Sequence, residues 1–114
     1  TTIQAGINAA SAGATVRVCP GNYTEDVNVN KANLTLVGSG IDVSTITGPH
    51  TTGGPDTVVI TASGVTLDGF TITRTGNTVG DWTSNAQNQG INVGASSNVT
   101  IQNNKITGNR NGIY

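Results

Sequence analysis

Apolar and polar residues alternate along this chain in very short bursts. Triplets of the form apolar–polar–apolar recur from one end to the other: Val16-Arg17-Val18, Val27-Asn28-Val29, Leu34-Thr35-Leu36, Val65-Thr66-Leu67, Phe70-Thr71-Ile72, Ile91-Asn92-Val93 and Val99-Thr100-Ile101. A side-chain period of two puts the outer members of each triplet on one face, the signature of a strand with one buried side. The triplets are too short to be stable as isolated hairpins, and few are joined by two-residue hairpin turns.

They fall into three classes that return in a fixed order. The first is Val27/Val29, Val58/Ile60, Ile91/Val93 and then Ile113; the second is Leu34/Leu36, Val65/Leu67 and Val99/Ile101; the third is centred on Ile46, Ile72 and Ile106. Successive members of the second class stand 31 and 34 positions apart, whereas Gly90-Ile91 returns as Gly112-Ile113 after only 22. The short step is the expected bare coil, and the longer ones contain surface insertions at about 48–56 and about 76–89. Three parallel strands per coil, stacked in register, make a triangular prism filled by stacked aliphatic side chains. The pattern predicts a single all-β domain over 1–114, a parallel β-helix of about three and a half coils spanning 14–114. Asp68-Gly69 in one coil and Asn103-Asn104 in the next separate the second and third strands. These residue types accept positive φ, so a tight bend is expected at a stacked corner.

The first residues break the pattern. Ile3, Ile7 and Ala10 share one face at helical spacing, with Thr2 as N-cap and Gly13 as a stop, which predicts a capping helix over 2–12. A solenoid end exposes unpaired backbone and apolar interior, and a short amphipathic helix covers both. No second lid is evident near Gly112-Ile113-Tyr114. The last coil is therefore expected to be open, to continue, or to stack on another copy, in which case a non-closing contact would build a filament.

Composition agrees with many strands and turns. There are 19 Thr, 14 Asn and 16 Gly against 10% charged and 4% aromatic residues. Thr favours strands, and Asn and Gly favour turns with positive φ. The five basic residues, Arg17, Lys31, Arg74, Lys105 and Arg110, are scattered and the net charge is −1, so no nucleic-acid surface is indicated. No run approaches the roughly 18 apolar residues of a membrane span. The lone Cys19 excludes an internal disulfide.

The segments TIQAGINAA (2–10), ATVRVCPGNYTEDV (14–27) and LTLVGSG (34–40) resemble the opening of pectin-lyase-like right-handed β-helix proteins. The stretch NNKITGNRNGIY (103–114) is similar to the β-helix repeats of NosD-like periplasmic and surface proteins. The resemblance implies a right-handed coil and an exported protein. It spans lyases, hydrolases, esterases, adhesins and structural proteins, so it does not carry one function. The Asn-Thr-Asp segment, Asp pair and Gly-His-Gly of polygalacturonases have no counterpart. Nor has the acidic calcium cluster with an Arg base that pectate lyases use. Gly21-Asn22-Tyr23-Thr24-Glu25 matches an opening shared with pectin methylesterases, where the segment is structural; the Asp pair of that family has no counterpart.

No catalytic residue, metal ligand or cofactor motif is assigned. Neighbouring Glu25 and Asp26 point to opposite faces of an extended segment and read as a solvated turn. His50 sits in a Gly/Pro-rich loop with no second histidine to make a metal site. The candidate carbohydrate contacts are Trp82 and Asp81 in the longer insertion and Arg74 at its entry: an indole can stack on a sugar ring while Asp and Arg orient hydroxyls or carboxylates. Asn22, Asn33 and Asn98 head N-x-Thr sequons and are candidate N-glycosylation sites. Outward Thr35, Thr66 and Thr100 should stack, as should Thr45/Thr47 over Thr71/Thr73, with Lys105 interrupting the second array. The leading expectation is a non-catalytic, secreted or cell-surface β-solenoid that contacts polysaccharide or copies of itself. Two alternatives stay open: the N-terminal part of a polysaccharide lyase, hydrolase or esterase, and an ice- or carbohydrate-binding module.

Overall fold

A computed structural model describes residues 1–50, 55–76, 78, 80 and 89–114. After helix α1 (Ile3–Ala9) come eleven strands among the described residues: β1 (Thr15–Arg17), β2 (Gly21–Thr24), β3 (Val27–Val29), β4 (Thr35–Val37), β5 (Ser44–Gly48), β6 (Val58–Ile60), β7 (Thr66–Asp68), β8 (Thr71–Arg74), β9 (Ile91–Asn92), β10 (Thr100–Gln102) and β11 (Lys105–Ile106). They form three parallel sheets. Sheet A runs β1-β4-β7-β10, sheet B runs β2-β5-β8-β11, and sheet C runs β3-β6-β9, with Ile113 bridging to Ile91 as a fourth rung.

The three sheets are the three triplet classes, in the predicted register. Leu36, Leu67 and Ile101 stack in sheet A, Ile46, Ile72 and Ile106 in sheet B, and Val27, Val58 and Ile91 in sheet C. The first rungs of sheets A and B are Val16 and Tyr23, opposite Leu36 and Ile46. Leu34, Leu36, Ile46, Val58, Val65, Leu67, Phe70, Ile72 and Ile91 have no exposed surface and fill the prism. Identical apolar positions recur because each inward side chain packs on the residue one coil above and below it, where the strands lie about 4.8 Å apart. Thr15 and Thr35 are partners only 20 positions apart, so the first coil is shorter than the 22-residue return from Ile91 to Ile113.

Two corners owe their shape to left-handed backbone. Two positions before the sheet A strands stand Gly13, Asn33, Gly64 and Asn98, with φ of 80°, 57°, 76° and 55°. Between sheets A and B, Gly69 and Asn103 have φ of 81° and 55°. Asn104 then turns inward, accepting from the Phe70 N–H and donating to the Leu67 carbonyl. The bend expected at Asp68-Gly69 and Asn103-Asn104 is therefore present, with Gly69 and Asn103 as its left-handed residues.

Helix α1 lies over the first coil. Thr2 Oγ1 accepts from the Ala5 N–H at 3.0 Å, and Ile3 and Ile7 are buried against the prism. The Glu25 carboxylate accepts from the Ile3 and Gln4 N–H groups, each at 3.0 Å, where the helix dipole favours negative charge. Lys31 Nζ donates to the Ala10 and Asn8 carbonyls at the other end. Glu25 and Asp26 do point opposite ways, but they are not a solvated turn. Glu25 caps the lid and Asp26 pairs with Arg74, because their donors lie on α1 and on the third coil, which a local reading cannot place.

Outside the prism, Thr15, Thr35, Thr66 and Thr100 stack in register along sheet A. On sheet B, Thr45 stands over Thr71 and Thr47 over Thr73. Thr71 is buried, however: its hydroxyl accepts from the Asp42 N–H and donates to the Asp42 carboxylate, so the loop before β5 covers that rung. Lys105 follows below and also reaches Asp42.

Candidate carbohydrate-facing groove

Both long connections leave from the same corner, between sheets B and C. One runs from Gly48 to Thr57 and the next, one coil below, from Arg74 to Gly90. Their bases are tied together. The Thr75 N–H donates to the Gly48 carbonyl, the Thr57 N–H to the Gln89 carbonyl, and the Gln89 N–H to Asp56 Oδ1. Asp56 Oδ2 accepts from Asn92 Nδ2 at 2.8 Å. A Cβ on Gly76 would touch the His50 ring, so the entries of the two insertions are also in contact.

Arg74 fastens this corner from within. Its side chain has no exposed surface, and Nη1 lies 3.0 Å from Asp26 Oδ1 and 3.1 Å from Thr57 Oγ1. Arg74 stands opposite Gly48 in the ladder, and a Cβ on Gly48 would collide with the guanidinium and the Thr57 hydroxyl. Thr57, itself buried, also faces Asn109 Oδ1. The network thus joins residues from all four coils. Burial pushes the Asp26 carboxyl above its ordinary 3.8; the Arg74 guanidinium pulls the other way, and Asp56 adds to the push.

Beside this corner, against the first two rungs of sheet C, is a groove of about 260 Å³ lined by Gln4, Asp26, Val27, Asn28, Pro55, Asp56 and Val59. Asn28, Val59 and Asn92 are successive outward residues of sheet C and extend its floor. The second oxygen of Asp26 makes no hydrogen bond among the described residues, and its side chain keeps 19% of its surface open. The walls thus offer carboxylate and amide acceptors over a partly apolar floor, the chemistry that sugar hydroxyls and ring faces meet. Among the described residues no group of three or more His, Cys, Asp or Glu is placed to hold a metal ion.

The residues singled out from sequence are distributed as follows. Arg74 is at the entry of the longer insertion, but its guanidinium points into the corner. Asp81 and Trp82 lie outside the described residues. Asn22 is exposed on β2 and accepts from Thr47 Oγ1, while Asn33 and Asn98 are two of the left-handed corner residues. Asp26 and Asp56 were not anticipated as neighbours. A signal was present, since an acid stands one or two positions before the sheet C strand in two successive coils, but its meaning depends on Arg74, 48 positions from Asp26.

Among the described residues no helix is long and apolar enough to cross a membrane. No protein-family model matches the chain, and no curated protein matches it. Solved structures do. A pectin methylesterase in complex with a hexasaccharide superposes with a TM-score of 0.81 at 19% identity, over all of this chain and 41% of that one. Pectin methylesterase PemA from Erwinia chrysanthemi gives a TM-score of 0.80, again at 19% identity and over the same shares. The chain therefore spans about two fifths of the length of these structures. At this identity the likeness is one of architecture: the chain has the pectin-lyase-like, right-handed parallel β-helix fold.

Proposed function

We propose that this β-helix is a polysaccharide-contacting scaffold of an exported protein, holding a glycan along the outer face of sheet C. The carrying observation is that both insertions leave from one corner, and that the groove bounded by Asp26, Asn28, Asp56 and Val59 lies beside that corner. A solenoid floor flanked by the bases of two long connections suits a linear polymer. Similar folds have been solved with hexasaccharides bound, which supports a glycan as the ligand class. Trp82 and Asp81, carried by the longer insertion, are proposed to contact sugar. Arg74 is proposed to hold the base of that loop rather than to touch the ligand.

In this reading the 114 residues bind and do not turn over substrate. Any esterase, lyase or hydrolase chemistry would belong to a larger protein containing these coils. The test is native electrophoresis through gels containing soluble polysaccharides, with release of methanol and reducing sugar assayed in parallel. Retardation without turnover, weakened several-fold by Trp82→Ala, is the expected result. Turnover by these residues alone would overturn the non-catalytic part, and no retardation on any glycan would overturn the whole.

A second reading, self-association through the last coil, is favoured by β10 and β11 being edge strands and by exposed Ile113 and Tyr114. Light scattering over a concentration series tests it. A monomer at every concentration would exclude it.

A further inference from the structure

Resting on the polysaccharide-contact reading above, we infer that the groove takes an uncharged, hydroxyl-rich glycan and discriminates against polyuronates. All five Lys and Arg residues are described, and none of them lines the groove. Arg17 is on β1, facing out from sheet A. Lys31 keeps its charge but is tied to the Asn8 and Ala10 carbonyls, at the end of α1 away from Glu25. Arg74 has no exposed surface. Lys105 reaches Asp42 on the far side of sheet B. Arg110 is exposed on the fourth coil, two coils below Asp56, a separation of about 10 Å at the strand spacing and roughly one screening length at physiological salt.

The insertions cannot change this balance. Neither 49–56 nor 75–89 contains Lys or Arg, and they bring Asp56 and Asp81. His50 is the only other basic side chain on either. A polyuronate carries one carboxylate per sugar and would meet carboxylates and amide oxygens here without a cation to receive it. A neutral glycan meets the same groups as a hydrogen-bond donor, its hydroxyls directed to the open oxygen of Asp26 and to the Asn28 side-chain amide along the groove.

The test compares glucomannan, a neutral chain, with polygalacturonate in affinity gels at about pH 8 and about 0.15 M salt, using the full 114-residue chain. Retention on glucomannan at least about tenfold stronger is the expected outcome. Equal or stronger retention on polygalacturonate would overturn this inference while leaving polysaccharide contact standing. Retention on neither would remove the reading on which it rests, and the inference with it. Val59→Lys places a cation on the outward groove floor without touching the core. It should create polygalacturonate retention that disappears at about 0.5 M salt, and failure to do so in a variant with unchanged circular dichroism would count against the electrostatic account.

Discussion

The Gln4 side chain takes the place of a β-strand beside Asn28. Its Oε1 accepts from the Asn28 N–H at 2.7 Å and its Nε2 donates to the Asn28 carbonyl at 3.1 Å, so one amide satisfies the backbone at the open edge of β3. With Glu25 at one end of α1 and Lys31 at the other, the lid is held by three residues of the first coil. Edge strands left bare invite pairing with other chains, and this arrangement closes the sheet C edge at the N-terminal end.

Replacing Gln4 by Ala is expected to cost about 1 kcal/mol, the net value of lost hydrogen bonds at a partly wet site. The thermal midpoint should fall by roughly 4–8 °C per kcal/mol for a chain of this size. Hydrogen exchange supplies the specific readout: the Asn28 amide should lose protection while the Leu67 and Ile72 amides keep theirs. Unchanged protection at Asn28 would show that the lid does not depend on this contact.

The ion pair of Arg74 and Asp26 should show coupling. Arg74→Ala leaves a partly buried carboxylate beside Asp56 and opens a cavity, with an expected loss of about 3–5 kcal/mol. Adding Asp26→Asn should recover about 1–3 kcal/mol of that loss, because the remaining group no longer carries a charge that needs a partner. Strictly additive effects in urea titrations would contradict the pairing.

Stability should also depend on pH through Asp26. Its carboxyl binds a proton more readily in the folded chain than at its ordinary 3.8, so the contribution favouring the fold is complete below that value. It is lost as pH rises through the higher folded value. Asp26→Asn has no such window. The stability difference, wild type minus variant, should therefore fall as pH rises from about 3 to about 7. A difference that stays constant across the range would show that Asp26 titrates normally.

The left-handed corner before sheet A allows a position-by-position check. Asn98→Gly should be close to neutral, whereas Asn98→Ala should cost about 1 kcal/mol, since Cβ without a compensating polar group is disfavoured at positive φ. Gly64→Ala should cost more than Asn98→Ala, because its new Cβ would also strike the Asn33 side-chain oxygen. Equal costs in denaturant titrations would mean that the Asn33 contact yields freely.

The strand classes were readable from the sequence alone. Val27, Val58, Ile91 and Ile113, and likewise Ile46, Ile72 and Ile106, are apolar because each packs on its counterpart one coil away, so the repeat in space is also a repeat in the chain. The lid was readable for a similar reason, since Ile3 and Ile7 share a helical face whatever they cover. Two rungs were harder to place. Val16-Arg17-Val18 was visible as a triplet without a class, and Tyr23 has neighbours too polar to announce a strand.

The side-chain networks were decided only by the tertiary structure. Glu25 beneath the helix, Gln4 on Asn28, and Arg74 between Asp26 and Thr57 all join residues 17 to 48 positions apart. A hydroxyl, an amide or a charge on a turn looks the same in sequence whether it faces water or another coil. Apolar burial needs only a matching face, whereas a polar contact needs one particular partner at one distance, and stacking of the coils supplies that partner.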